Sequence, residues 1–145
     1  EVQRRKQAEE SARIAEERRR ERVLTARYPD EAAHQAERNA ALDQVEEVVV
    51  VAHKRVQSLK AERRRLDVEL EFYRGDVTKA PVLLQRQIAD NEQALADQQR
   101  FLATQELEKR RIHQRFDAEL AQLRQLWAAQ RASSTQWGQL PAPQK

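Results

Sequence analysis

The stretch Leu42–Tyr73, LDQVEEVVVVAHKRVQSLKAERRRLDVELEFY, decides the fold. Its apolar residues recur at alternating spacings of three and four, and Arg63 is the one polar residue in the pattern. The other members are Leu42, Val45, Val49, Ala52, Val56, Leu59, Leu66, Leu70 and Tyr73. This heptad pattern predicts a coiled-coil helix rather than a helix of a globular core. It favours a helix even across Val48–Val51, whose β-branched residues alone are typical of a strand.

A second heptad helix follows after a short connection. Gly75 is a usual helix-ending residue, and Pro81 suits the first position of the next helix. Two such helices joined by roughly seven residues are typical of an antiparallel hairpin. We therefore predict an all-α fold, an antiparallel coiled-coil hairpin with helices at about 30–73 and 81–131 and a loop at 74–80. The seam residues expected to meet are Leu42, Val45, Val49, Val56, Leu59, Leu66, Leu70, Ile88, Leu95, Leu102, Ile112, Phe116 and Leu123.

The loop also sets which residues face each other across the seam. Placing Tyr73 opposite Leu84 puts Arg38 opposite Glu119, near the open end of the hairpin. Either charge buried alone would cost several kcal/mol, so we predict that the two form a buried ion pair.

The segments on either side of the hairpin have different compositions. Residues 1–28 are predicted to form a polar N-terminal helix, supported by Glu/Arg pairs four residues apart. Because a residue before proline disfavours the helical conformation, Pro29 predicts a break at Tyr28. Trp127 is expected at the open end of the hairpin, where the apolar residues that end the N-terminal helix can cover it. Residues 132–145, which contain Ser, Gly and Pro, are predicted to be a disordered tail.

Several large apolar residues lie outside the predicted seam and form a candidate partner face. They are Val48, Val68, Phe72, Phe101, Leu107, Leu120 and Trp127. Large apolar residues outside a two-helix seam face either solvent or a partner. Two interpretations stay open: a second hairpin covers them in a four-helix dimer, or they are scattered exposed residues on a monomer.

The residue types argue against an enzyme and against a metal or cofactor site. There is no cysteine, and the three histidines, His34, His53 and His113, lie far apart and are expected to be solvated on helix surfaces. The sequence has no glycine-rich phosphate loop and no Ser/His/Asp grouping of a known catalytic pattern. No apolar run approaches the roughly 18 residues that a membrane span requires.

The positive charge is concentrated at the N-terminus. Residues 1–27 carry nine Lys/Arg and six Glu, a net charge of +3, which equals that of the whole chain. Elsewhere, basic triplets alternate with acidic residues and no aromatic stacking platform accompanies them, so nucleic acid is not the expected partner. We expect a structural or interaction module that dimerises or docks a protein. The alternatives are a holdase-type chaperone and, more weakly, a nucleic-acid-binding helical arm.

Residues between about 20 and 127 resemble the coiled-coil region of uncharacterised exported proteobacterial proteins that carry a small N-terminal domain of unknown function. The positions that carry the resemblance are Arg22, Val23, Leu24, Tyr28, Glu31, Arg38, Leu42, Pro81, Ile112, Phe116, Asp117 and Leu123. The sequence departs from that group at Pro29, where the group has Thr or Ser. The resemblance implies a periplasmic location and no established activity, and a cytoplasmic location stays open. Because the sequence contains no methionine, residue 1 is not expected to be a native start.

Overall fold

The computed structural model describes residues 1–138, and every regular element in that part of the chain is a helix. The prediction of an all-α fold is therefore confirmed. No helix among these residues has both the length and the apolar character that would let it cross a bilayer. The elements are α1 (Val2–Arg27), α2 (Glu31–Leu70), two short 3-10 helices (Glu71–Tyr73 and Val77–Lys79) and α3 (Val82–Gly138).

The chain divides into two compact units, and both α2 and α3 contribute a segment to each. Unit 1 comprises residues 1–39 and 113–145, of which the structure describes 113–138. Unit 2 comprises residues 40–112.

The break between α1 and α2 lies where the sequence predicts it. The backbone N–H of Tyr28 donates to the carbonyl of Leu24 and ends α1. Asp30 then caps α2, because its Oδ1 accepts a hydrogen bond from the backbone N–H of Ala33 at 2.8 Å. An acidic cap satisfies an otherwise free N–H and suits the positive end of the helix dipole. Pro29 lies just outside both helices.

The connection between α2 and α3 is a compact turn. The N–H of Gly75 donates to the carbonyl of Leu70 at 3.1 Å and closes the end of α2. Gly75 adopts the left-handed conformation with φ 75°, and Arg74 does so as well with φ 57°. A side chain at Arg74 makes this conformation less favourable than it is for glycine. Asp76 then accepts a hydrogen bond from the N–H of Thr78 at 3.0 Å.

In unit 2, α2 and α3 pack side by side in opposite directions. Next to the turn they share an apolar cluster, and farther along the buried Asn91 donates from Nδ2 to the carbonyl of Leu59 at 2.9 Å. Leu59 is 1% exposed, and burying a leucine to this extent contributes about 1.5–3 kcal/mol. The cluster consists of Leu66, Leu70, Ala80, Leu84 and Ile88.

The burial of the predicted seam residues agrees with the heptad pattern in both units. Leu42, Leu95 and Leu102 are half-buried. The others are buried: Val45, Val49, Val56, Leu59, Leu66, Leu70, Ile88, Ile112, Phe116 and Leu123.

The end of α3 differs from the sequence prediction. The helix was expected to stop at residue 131, but it continues to Gly138, so residues 132–138 are helical rather than disordered. No proline or glycine occurs in α3 before Gly138, and the Thr135 hydroxyl donates to the carbonyl of Arg131 at 2.9 Å. The hydroxyl therefore bonds within the helix instead of competing with it. The rest of the predicted tail, residues 139–145, lies outside the described part of the chain.

Candidate functional site

The turn between α1 and α2 buries an aromatic side chain in unit 1. Tyr28 is 3% exposed and packs in one cluster with Leu123 and Trp127. The indole Nε1 of Trp127 donates to the carbonyl of Tyr28 at 2.9 Å, so the tryptophan both packs on the turn and satisfies one of its carbonyls. Leu24 packs against the same cluster, as the sequence predicts, whereas Val23 remains 63% exposed.

Two members of the predicted partner face belong to this cluster instead. Trp127 is 7% exposed, and Leu120 is half-buried against the cluster. The assignment of both residues to a partner-binding face is therefore wrong. The expectation that the end of α1 covers Trp127 describes this part of α3 correctly, and the same cover reaches Leu120.

His34 lies at the centre of a buried polar contact in unit 1. It is 1% exposed, and its Nε2 is 3.1 Å from Oε1 of Glu119 on α3. The imidazole meets the Tyr28 ring edge-on at a centroid distance of 4.8 Å and the Phe116 ring at 5.0 Å. The expectation of a solvated histidine is therefore wrong for His34.

The other two histidines are exposed, as expected. His53 lies on α2 in unit 2. His113 lies on α3 in unit 1, where its Nδ1 is 3.5 Å from Nη1 of Arg38.

Arg38 forms its ion pair with a different carboxylate from the one predicted. Its Nη1 donates to Oδ1 of Asp117 at 2.8 Å, while Glu119 is bonded to His34. The predicted buried ion pair between Arg38 and Glu119 is therefore wrong. The Asp117 side chain is 67% exposed, so the observed pair is partly solvated and contributes little to stability.

The physical reason for this error is the register of the two helices. In an antiparallel seam, the first apolar position of a heptad on one helix packs against the fourth position on the other helix. Placing Tyr73 opposite Leu84 instead aligned two fourth positions with each other. The Arg38 guanidinium accordingly lies 5.6 Å from the ring centroid of Phe116, and its ion-pair partner is two residues earlier than expected. The Nε of Arg38 is buried and has no hydrogen-bond partner among residues 1–138.

An open groove of about 740 Å³ lies beside Trp127 in unit 1. The start of α2 and the end of α3 line it, and an ion pair between Arg124 Nη2 and Glu31 Oε1 at 2.5 Å spans it. Both side chains of this pair are more than half exposed. Small-molecule sites are usually enclosed and largely apolar, and this groove is neither.

One flank of the α2–α3 pair in unit 2 is closed by ion pairs. Nη1 of Arg63 donates to Oε1 of Glu92 at 2.6 Å, and Nζ of Lys109 lies 3.5 Å from Oε2 of Glu46. The hydrogen bonds to Glu92 and Asp67 raise the pKa of Arg63. Each of these two ion pairs joins α2 to α3.

The opposite flank of unit 2 carries apolar side chains. On a helical wheel, Val48 and Val51 lie on the side of the seam away from Glu46, and Phe101 occupies the matching side of α3. These side chains are 42%, 66% and 39% exposed, in that order. Phe72 and Leu83 lie on the same side next to the turn and are 83% and 66% exposed. We name these five residues the apolar flank.

The remaining residues of the predicted partner face are also exposed but point elsewhere. Val68 and Leu107 are 60% and 50% exposed, and the helical wheel places them on the outer surfaces of α2 and α3. The seven residues of the predicted face thus divide into three on the apolar flank, two on the outer surfaces and two in the unit 1 cluster. No ion pair joins α2 to α3 across the apolar flank within residues 40–112.

The buried histidine of unit 1, His34, does not face an open site. Tyr28 and Phe116 cover the His34 imidazole, and a general base must reach the proton that it removes. No group of three or more His, Cys, Asp or Glu side chains in residues 1–138 is arranged to hold a metal ion. Comparison with protein-family models, curated proteins and solved structures found no match to the chain.

Proposed function

We propose that the chain is a non-enzymatic interaction module, a coiled-coil scaffold or spacer that dimerises or docks a protein partner through the apolar flank. The observation that carries this proposal is the difference between the two flanks of unit 2. Ion pairs close one flank, whereas the other exposes Val48, Val51, Phe72, Leu83 and Phe101.

Apolar surface in contact with water is unfavourable in free energy, and a partner that buries this surface removes that cost. A contiguous apolar patch on a protein surface marks a site of interaction or a risk of aggregation. Phe72 is the most exposed member, Leu83 and Val51 are equally exposed, and burying each would contribute about 1.5–3 kcal/mol. Phenylalanine is also enriched at the cores of protein interfaces.

The scaffold role rests on how the helices of unit 2 are held together. The seam alternates apolar layers with polar ones, and Asn91 forms a specific contact with the Leu59 carbonyl. A buried asparagine in a coiled-coil seam fixes register at some cost in stability. This combination suits a module that holds surfaces at a defined spacing.

Two other functions fit the chain less well. A nucleic-acid-binding arm needs free cations, but Arg63 and Lys109 are both engaged by carboxylates in unit 2. In α1, Arg13 and Arg19 are likewise engaged by glutamates, and these hydrogen bonds lower the pKa of Glu10 and Glu16. A holdase-type chaperone would use the same apolar flank, and a client-aggregation assay distinguishes it. A periplasmic location is part of the proposal through the sequence resemblance alone.

The proposal is tested with a variant of the apolar flank and a matched control. Val51→Lys with Phe101→Glu places charges on the flank, and Lys54→Glu with Arg100→Glu changes charges on the outer surface instead. The mass of the complexes is measured by light scattering for the purified chain and by native separation of extracts of the cells that express it.

We expect a complex larger than one chain in at least one of these preparations, lost in the flank variant and kept in the control. A single-chain mass in both preparations would contradict the proposal. Suppression of client aggregation that depends on the flank would favour the chaperone, and salt-dependent binding of DNA or RNA in a mobility assay would favour the nucleic-acid arm.

A further inference from the structure

The apolar flank of unit 2 consists of two patches separated along the helices. The middle patch contains Val48, Val51 and Phe101, and the tip patch contains Phe72 and Leu83 beside the turn. Within each helix the patches are separated by similar lengths. At 1.5 Å per residue, Val51 to Phe72 is about 32 Å and Leu83 to Phe101 is about 27 Å.

The midpoints of these two separations lie at the same level of unit 2. The midpoint on α2 falls at residues 61–62, and the midpoint on α3 falls at residue 92. The hydrogen bond from Arg63 to Glu92 at 2.6 Å shows that these two levels are side by side. A single two-fold axis at that level therefore superposes the tip patch of one copy on the middle patch of another, on both helices at once.

We propose that the apolar flank binds a second copy of the chain, flank to flank and antiparallel, with the two-fold axis beside Glu62. This inference rests on the proposed function and names the partner. In this dimer Phe72 packs on the second copy's Val51, and Leu83 packs on its Phe101. A two-fold interface uses the same surface on both subunits, which the pairing of tip with middle satisfies.

The charges on the flank fit the same axis. Arg55 and Glu69 are exposed on α2, and neither takes part in an ion pair with another described residue. Their midpoint is residue 62, so the axis places Arg55 opposite the second copy's Glu69, and symmetry forms the pair twice. Ser58 and Ala94 lie on the flank close to the axis, and their small side chains let the two copies approach.

Glu62 lies beside the axis, so the proposed dimer brings two like charges together. Like charges directly opposite each other in packed elements are destabilising. Glu62→Gln removes that repulsion, and we expect it to tighten the dimer by about two- to threefold, on the scale of such pairs. A weaker dimer in this variant would contradict the position of the axis.

The absence of cysteine from the sequence allows a direct test by cross-linking. Val51→Cys and Phe72→Cys are made as separate proteins and oxidised alone and as a mixture. The dimer places Cys side chains at these two positions together between copies, whereas each position is about 30 Å from its own counterpart. We therefore expect a disulfide-linked dimer in the mixture and little in either protein alone. Both positions are more than half exposed, so the fold is expected to tolerate the changes.

Val68→Cys serves as the matched control, because Val68 is 60% exposed but lies on the outer surface. Its mixture with Val51→Cys should give at least about tenfold less cross-linked dimer, because disulfide formation requires the Cα atoms to approach within about 7 Å. Equal yields in the two mixtures, or no cross-link in either, would overturn the inference. If purified protein fails to cross-link but extracts contain a flank-dependent complex with another protein, this inference fails and the proposed function stands.

Discussion

The three phenylalanines of the chain provide an internal series, because all lie in helical segments and differ in burial. Phe116 is 0% exposed, Phe101 is 39% exposed and Phe72 is 83% exposed. Phe101 and Phe116 both lie in α3, so replacing either with alanine changes helix propensity by the same small amount, whereas Phe72 lies in the 3-10 helix after α2. Differences among the three variants therefore report mainly on packing.

The structure sets the size of each effect. Removing a fully buried phenylalanine costs about 3–5 kcal/mol, so Phe116→Ala should lower the free energy of unfolding by that amount. Phe116 also packs against His34, and the Arg38 and Arg115 guanidinium groups lie within 5.6 Å and 4.6 Å of its ring centroid. Phe101→Ala should lower the free energy of unfolding by about 2 kcal/mol, in proportion to the burial of Phe101. Phe72→Ala should change it by no more than about 0.5 kcal/mol.

The assay is urea unfolding followed by circular dichroism at 222 nm. The protein concentration must be low enough that light scattering gives the mass of a single chain, so that loss of a dimer contact does not enter the comparison. If Phe72→Ala destabilises the chain as much as Phe116→Ala does, the burial assigned to the three side chains is incorrect.

Three further substitutions test single contacts. Trp127→Phe removes the hydrogen bond to the carbonyl of Tyr28, and leaving that carbonyl unpaired should lower the free energy of unfolding by about 1–3 kcal/mol in a urea titration. Asn91→Leu replaces the buried amide that contacts Leu59 with an apolar side chain; we expect a higher midpoint of thermal unfolding, and a lower midpoint would contradict the cost assigned to a polar seam residue. Burial raises the pKa of the Tyr28 phenol above its ordinary value of 10.0, so folding opposes its ionisation, and stability present below pH 10 is lost as the pH rises further. Tyr28→Phe should remove this part of the alkaline destabilisation, and an unchanged pH profile between 8 and 11 would exclude it.

The heptad pattern allowed most of the fold to be predicted from the sequence. Apolar residues that recur with a period of 3.5 residues indicate which side chains can be buried together, and Leu59, Leu66 and Ile88 are buried as expected. The pattern also overrode the strand propensity of Val48–Val51, which lies within α2. The pattern does not determine the register of one helix against the other. The length of the turn is compatible with more than one register, and the wrong one paired Arg38 with Glu119.

Contacts of residues next to the seam were the hardest to predict. His34 was expected to be solvated because a helix-surface histidine has no local signal for burial. The signal that was available lay on the other helix, since Glu119 occupies a seam position and requires a polar partner there. The covering of Trp127 by the end of α1 was predicted, and Leu24 and Tyr28 do pack against it. Its hydrogen bond to the Tyr28 carbonyl had no signal in the sequence.

The apolar residues of the one predicted partner face now have different explanations. Trp127 and Leu120 complete the unit 1 cluster, whereas Val48, Phe72 and Phe101 remain on a flank that no other described helix covers. The question left open by the sequence, a dimer or scattered exposed residues, therefore reduces to whether this one flank is covered in solution.

The four consecutive valines, Val48–Val51, allow one measurement to test both the packing of α2 and α3 and the role of the flank. Their exposed fractions are 42%, 5%, 42% and 66%, so only Val49 faces the seam. Each valine is replaced singly with cysteine, and the rate of alkylation by a maleimide is measured at low and at high protein concentration.

At low concentration we expect Val49→Cys to react at least about tenfold more slowly than the other three, because its thiol is reached only through local opening of the seam. At high concentration Val48→Cys and Val51→Cys should also become protected, while Val50→Cys, on the other side of the helix, should not. Equal rates at all four positions, or protection that alternates along the chain, would contradict the helix and its seam. Protection of Val50 in place of Val51 would contradict the assignment of the apolar flank.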